Sequence, residues 1–281
     1  MLPKLCLEHI ASCISNVYDL IRFWGVCAVW RRISPNGRTL DIVREHESRR
    51  FVLHYNDATI ATLVLRVMKH VYFFMRVGST VPNLNALRGV PYVILRNCTG
   101  ITAPAPLCDA KHLDLEGTDI VDVSVLGHVQ RLDISHTCVR DVSALGGVRH
   151  LIAVRTHISD VSALHSADCL ALDRCEHIRD VSALGNVRHL SISGCINIER
   201  GIECLTNVRV LYACKVRMPP NLAPLAKTHT LLLDQCPVPL DVTPLRTVNT
   251  LSLIGCSVVR GLDVVHTSCA RVFTTGRLAY Y

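Results

Sequence analysis

Over most of the chain, apolar residues recur as short apolar-x-apolar pairs at a nearly fixed spacing. With the first residue of each pair as an anchor, the anchors are Val93, Leu113, Leu132, Leu151, Leu170, Leu190, Leu211, Leu231, Leu251 and, degraded, Ala270. Successive anchors lie 19 to 21 residues apart. Alternation over a few residues predicts a short strand at each anchor. A fixed period of this size predicts a coil that repeats and stacks. Whole phrases return with the period: Val129 to Thr137 and Val187 to Cys195 share one frame, and Asp-Val-Ser-Ala-Leu recurs at 141, 160 and 180.

Five residues after the anchors stand Cys98, Thr118, Thr137, Thr156, Cys175, Cys195, Val216, Cys236, Cys256 and Thr275. Turned inward after the strand, a small donor at that place satisfies a buried backbone carbonyl once per coil; only Val216 has no donor to offer. The Asp-to-Leu phrase, echoed at Asp122 to Leu126 and Asp241 to Leu245, falls on the return path. There the Asp accepts bonds from the next free amides and starts a single helical turn, which the buried Leu pins. A coil this short has no room for a long outer helix. Each coil holds a few aliphatic residues worth ~1.5–3 kcal/mol apiece when buried, so it is expected to fold only by stacking on its neighbours.

This pattern resembles the leucine-rich repeat, L-x-x-L-x-L-x-x-N/C-x-L, with Cys or Thr where Asn is more usual. The short coils are similar to the internalin and phosphatase-regulator subclasses of that family. The resemblance implies an α/β leucine-rich-repeat solenoid with a parallel β-ladder, about ten coils over residues 91–281, its strands spanning ~43 Å. Its concave face is then the expected binding surface. The residues placed on that face flank the anchors: His112, Arg131, His150 and His189 before them, Asp114, Asp133 and Tyr212 after, with Glu116 and Asp173 further along the strands. These are the candidate target-binding residues.

Upstream the period changes. Leu7, Ile10 and Ile14 form one helical stripe after Pro3, a residue suited to a helix start; Asp19 to Ile33 reads as two further short helices broken near Gly25. Leu2-Pro3, Ile10, Asp19-Leu20, Val26-Cys27 and Trp30 resemble the F-box at that family's spacings, with Leu5 where an acidic residue is common. The resemblance covers about residues 2–40. It implies docking to the small adaptor subunit of a cullin-RING ubiquitin ligase through Leu2, Pro3, Ile10, Leu20, Val26, Cys27 and Trp30. The same helices would otherwise serve only as the N-terminal cap that a solenoid needs. The expected organisation is therefore an F-box-like helical module at 1–40, a linker and solenoid cap at 41–90, and the solenoid at 91–281. Within 41–90 the charged run Arg38 to Arg50 reads as a solvated helix or linker. Thr59 to Met75 is apolar enough to be buried, with Thr62 to Leu65 as one irregular capping coil, and periodicity does not choose helix or strand there.

Charge and composition narrow the function. Residues 1–90 hold twelve Lys/Arg against six Asp/Glu and residues 91–281 eighteen against seventeen, so the net +7 belongs to the first third. A nearly neutral repeat region is a poor footprint for nucleic-acid binding. The 14 cysteines form no CxxC, and the first residues lack the pattern of a secretory signal, so the thiols are expected to be reduced and the protein intracellular. Thr62 to Val77 is interrupted by Arg66, Lys69, His70 and Arg76, which excludes an uninterrupted membrane span there. No phosphate loop, G-x-S-x-G elbow or H-E-x-x-H occurs. His112, His150 and His189 share a column and Cys175 stands near His177, but neither has close tetrahedral spacing, so no metal or other cofactor is expected. The composite expectation is a non-catalytic substrate receptor of a cullin-RING (SCF-type) ubiquitin ligase. The alternative is a plain leucine-rich-repeat scaffold, similar to a phosphatase regulator, whose N-terminal helices only cap it.

Overall fold

A computed structural model describes the backbone of Asp41–Glu45, Arg50–Tyr55 and Tyr72–Met75, and residues 84–274 with their side chains apart from Ala86. The F-box-like residues 2–40 and the run Thr62 to Leu65 lie outside the described residues. The chain divides into two compact units, Met1–Asp119 and Ile120–Tyr281.

In the first unit β1 (Asp41–Glu45) runs antiparallel to β2 (Arg50–Tyr55). From β2 onward β3 (Tyr72–Met75), β4 (Tyr92–Ile94) and β5 (His112–Asp114) add in parallel. Leu53 pairs with Phe73, Phe73 with Val93 and Val93 with Leu113, so the register carries the anchor spacing upstream into a region whose periodicity left the choice open. The reading of Arg38 to Arg50 as helix or linker is corrected by β1. Backbone pairing decides it: the groups of Asp41 to Glu45 are met by β2 along the register Asp41–His54 to Glu45–Arg50, where a solvated helix or linker would leave them to water.

The second unit builds its ladder from β6 (Arg131–Asp133), β7 (His150–Ile152), β8 (Cys169–Ala171), β9 (His189–Ser191), β10 (Val210–Tyr212) and β11 (Thr230–Leu232). After β12 (Leu240–Asp241) come β13 (Thr250–Ser252), β14 (Val259–Arg260), α1 (Leu262–Ser268) and β15 (Arg271–Phe273). The ladder strands pair in parallel, anchor against anchor. β12 and β14 form a separate small parallel pair. Leu251 pairs with Val272, so the last anchor is Val272 rather than Ala270. The shift follows from α1, whose seven residues replace the usual single turn and lengthen the coil. Thr275 lies outside the described residues.

One coil explains the others. Leu132, Ile134, Thr137, Val139, Val142, Leu145 and Val148 all point inward and are buried, and the residues between them are exposed or half-buried apart from Ser135. The spacing is two within the strand, as its pleat requires, and alternates between two and three before settling at three on the return path. The inward side chains stack on their equivalents in the next coil, Leu151, Ala153, Thr156, Ile158, Val161, Leu164 and Ala167.

The inward Cys/Thr ladder forms; its threonines and three of its cysteines answer carbonyls differently, while Cys98 donates to Arg96 within its own coil at 3.6 Å and Cys236 to Val216 at 3.4 Å. The hydroxyls of Thr118, Thr137 and Thr156 donate to the carbonyls of Leu115, Ile134 and Ala153 within their own coils, at 2.7, 2.6 and 3.0 Å. The thiols of Cys175, Cys195 and Cys256 donate instead to Ala153, Leu172 and Leu233 of the preceding coil, at 3.0, 3.0 and 3.1 Å. The longer carbon–sulfur bond lets cysteine span the gap between rungs. Val216 is fully buried and supplies no such bond.

The return path also follows its pattern. Asp122, Asp141, Asp160, Asp180 and Asp241 each accept, through Oδ1, the amide of the residue two further on, at 2.8–3.0 Å. Single 3-10 turns follow, such as Ser143–Gly147, Ser162–Ser166 and Ser182–Asn186, with Leu145, Leu164 and Leu184 buried beneath them. The aspartate stands one place before the helical cap, so it closes a side-chain turn that leads into the helix rather than capping the helix itself.

A further regularity has no counterpart in the apolar pattern. The residue four past each anchor has positive φ: Asn97, His136, Arg155, Arg174, Lys215 and Gln235 at 52° to 62°, and Gly117, Gly194 and Gly255 at 68° to 77°. The strand is followed by a left-handed corner that aims the ladder residue inward. A side chain in that region costs ~1–2 kcal/mol, and glycine escapes the clash at some cost in chain entropy. We therefore expect Lys215→Gly to stabilise by about 0.5–1 kcal/mol and Gly194→Ala to destabilise by about 1–2 kcal/mol in denaturant unfolding.

The bond to the serine amide holds Asp122, Asp141, Asp160 and Asp180 below the usual carboxylate range, and the Thr243 hydroxyl and amide do the same for Asp241. Because the folded values are lowered, this stabilisation is complete above the ordinary value of about 4 and is lost as pH falls through the folded values. Thermal melts from pH 7 to 2.5 should show a falling midpoint below about pH 4, and Asp160→Asn, which keeps the acceptor, should remove part of that slope with little effect at neutral pH.

Candidate interaction surface

The anchors face inward, so the residues on either side of them line columns along the ladder, exposed or half-buried except for the buried Ser252. In the second unit, one column runs Arg131, His150, Cys169 and His189 and continues through Val210, Thr230, Thr250 and Arg271. The other holds Asp133, Ile152, Ala171, Ser191, Tyr212, Leu232, Ser252 and Phe273 in the same pairings. Arg131, His189 and Tyr212 are exposed, and Asp133, His150 and Asp173 are half-buried.

Several of these groups are already committed to the fold. Asp133 Oδ1 accepts the Ser135 amide at 2.9 Å. Asp173 Oδ1 accepts the Ser191 hydroxyl at 2.5 Å and the Ser193 amide at 2.8 Å, tying its coil to the next. Asp234 makes the same pair of bonds to Ser252 and Ile254. Their chemistry is thus structural on one oxygen. His150 is held below the ordinary histidine range, first by burial and then by the Arg131 guanidinium, so it is uncharged at neutral pH.

In the first unit, His112, Asp114 and Glu116 are half-buried on the strand side. Arg96 Nε donates to Asp114 Oδ2 at 2.7 Å and lies 3.4 Å from Glu116 Oε2, and Tyr92 meets His112 edge-on with centroids 4.8 Å apart.

The apolar part of the second unit's face extends beyond the sequence-based candidates. Ile152, Ile254 and Phe273 are 44%, 42% and 49% exposed, beside Tyr212 at 41%. Ile152 occupies the same place after its anchor as Asp133 and Tyr212, so the repeat frame alone could have found it. Cys169 was likewise passed over, and it stands between His150 and His189 with Sγ 3.3 Å from His189 Nδ1. The face therefore grades from charged and imidazole-bearing at β6–β9 to apolar and hydroxyl-bearing at β10–β15. Cys175 and His177 do not converge: the Cys175 thiol is buried against the Ala153 carbonyl, and His177 stacks on His157 at 5.5 Å.

No family model matches the sequence, and no curated protein matches it. Solved structures do. An internalin, InlF, from Listeria monocytogenes superposes with a TM-score of 0.55 at 15% identity over 76% of this chain and 76% of its own. The functional domain of InlJ from Listeria monocytogenes, which includes a cysteine ladder, gives 0.53 at 15% identity over 79% of this chain and 59% of its own. The fold is a leucine-rich-repeat solenoid.

Within this solenoid the cysteines of the ladder are unsuited to chemistry. Burial pushes the Cys195 thiol up to about 12 and raises Cys175 and Cys256 as well, which leaves them protonated donors. Exposed ion pairs such as Arg200–Asp180, with Nε and Oδ2 2.7 Å apart, contribute little to stability. Among the described residues no helix is long and apolar enough to cross a membrane.

His150 offers a direct check on the electrostatics of the repeat face. Its folded value is lowered, so as pH falls below the ordinary histidine value the unfolded chain takes up the proton first and folding weakens. NMR titration should place the His150 midpoint below about 6.5, and Arg131→Ser should raise it while leaving burial in place.

Proposed function

We propose that this chain is a non-catalytic adaptor whose repeat face binds a target protein. The observation that carries the reading is the division of labour in each coil. The inward residues meet the demands of the core and the backbone, while the flanking columns from Arg131 to Phe273, exposed at Arg131, Ile152, His189, Tyr212 and Phe273, present a graded surface of charge, imidazole and apolar groups. Repeat solenoids use such faces for partners. In the more specific form of the proposal, the chain is the intracellular substrate receptor of a cullin-RING ubiquitin ligase. Its support is the F-box-like spacing of Leu2-Pro3, Ile10, Leu20, Val26-Cys27 and Trp30, residues outside the described structure.

The mechanism is tethering. Residues 1–40 hold the ligase adaptor and the solenoid holds the target, with Arg131, His150, His189, Asp133, Asp173 and Tyr212, and His112, Asp114 and Glu116 in the first unit, as candidate contacts. Bound at both ends, the target meets the charged ubiquitin carrier at an effective concentration on the order of mM for a short connection. No residue of this chain makes or breaks a bond.

Affinity capture with the purified ligase adaptor tests the specific form. The intact chain should retain the adaptor, and both a chain lacking residues 1–40 and the double variant Leu20→Asp, Val26→Asp should lose it. Capture unaffected by those changes, or no capture by the intact chain, assigns the N-terminal residues to capping and leaves an interaction solenoid without a ligase.

A further inference from the structure

We propose that the strand face of the second unit carries a metal site in which Cys169, His189 and His150 bind a thiophilic divalent ion of the Zn2+ class. Parallel pairing places His150, Cys169 and His189 at one register on three successive strands. Each precedes a buried anchor, Leu151, Leu170 or Leu190, so all three side chains leave the same side of the sheet. Rungs are ~4.8 Å apart, which puts the thiol midway between two imidazoles whose backbones are about 10 Å apart. That is a span two histidines can close over one ion.

Half of the site is already at coordination distance. Cys169 Sγ lies 3.3 Å from His189 Nδ1. With Zn–S at ~2.3 Å and Zn–N at ~2.0–2.1 Å, two ligands of a tetrahedral ion sit about 3.5 Å apart. Insertion of the ion between them therefore needs an adjustment of a few tenths of an ångström and no backbone motion. His150 does not stand at ligand distance from both of these groups in the structure, and joins them by turning about its two side-chain torsions from the neighbouring rung. The fourth position faces outward from the sheet, open to water or to a side chain of a bound protein.

The surroundings set the affinity in a predictable way. Asp168 precedes Cys169 in the chain and acts electrostatically on both Cys169 and His150, and its charge favours a cation. Arg131, one rung beyond His150, opposes it. A metal takes imidazole through an unprotonated nitrogen and cysteine as the thiolate. Binding therefore displaces the thiol proton to solvent: the S–H bond breaks, a sulfur–metal bond forms, and one proton is released per ion. The ladder cysteines do not compete, because Cys175, Cys195 and Cys256 are buried and donate to backbone carbonyls. The exposed thiols of Cys138 and Cys204 provide controls.

The test uses the full chain, kept reduced with a phosphine and titrated with Co2+ as a spectroscopic stand-in for Zn2+. A thiolate-to-cobalt band should appear in the near ultraviolet, disappear on addition of Zn2+, and be absent in Cys169→Ser but present in Cys138→Ser and Cys204→Ser. His189→Ala or His150→Ala should weaken binding by about 100-fold or more, the upper end of what losing a merely supporting group costs. Arg131→Gln should tighten it and Asp168→Asn loosen it. Zn2+ should raise the melting midpoint of the parent chain and leave that of Cys169→Ser unchanged. A band that survives in Cys169→Ser, or a parent chain that shows neither band nor thermal shift, overturns the site. The outcome is independent of adaptor capture, which involves residues 1–40 only.

Discussion

A narrow coil has to answer its own backbone. Each strand passes amides and carbonyls to the next coil, as when Ile134 N–H donates to the Ile152 carbonyl at 2.9 Å and Leu172 N–H to the Ser191 carbonyl at 2.8 Å. The carbonyl two places past the anchor instead points into the core, where water does not reach and an unmet acceptor is costly. Threonine five past the anchor meets it in its own coil at Leu115, Ile134 and Ala153, and cysteine of the following coil meets it at Ala153, Leu172 and Leu233, with the left-handed residue before each donor providing the corner. Core packing and hydrogen bonding thus impose the same requirement, that a neighbouring coil be present. Stability in such a chain is a sum of nearest-neighbour contacts rather than the property of one central core.

That constraint frees the surface. Once the inward places are taken by aliphatic residues and ladder donors, the columns flanking the anchors need only suit the pleat. They vary from arginine and histidine through cysteine and serine to tyrosine and phenylalanine without changing the coil. Some of this freedom is used internally, since Asp173 and Asp234 stitch adjacent coils through serine hydroxyls and backbone amides. The rest is available for recognition. The same stacking that makes the face also fixes the rise between its rungs, which is why residues 150, 169 and 189, distant in sequence, stand at one register on successive strands.

Much of this was readable from residue order because the determinants are local. Leu132, Ile134 and Thr137 announce their burial by spacing, and Asp141 bonds an amide two residues away, a contact that needs no tertiary information. The reading failed where the determinant was not local. Ala270 fits the period by counting, yet Val272 is the residue that pairs with Leu251, because α1 lengthens that coil. Leu53 and Phe73 continue the anchors, but without the flanking phrases their register emerges only from pairing. The positive-φ corner was invisible because Asn, His, Arg, Lys and Gln fill it twice as often as Gly, so composition carries no mark of it. Cys169 was overlooked because its neighbours in space are about twenty residues away in the chain.

Sequence alone determined the repeat, the inward set, the ladder of donors and the turn aspartates, since each follows from alternation, period or a bond to a residue two or three places on. Tertiary structure decided which donor answers which carbonyl, where the last coil begins, and which outward side chains meet. Those depend on the rise from one coil to the next, a distance set by hydrogen bonds between strands and by the packing of side chains beneath them.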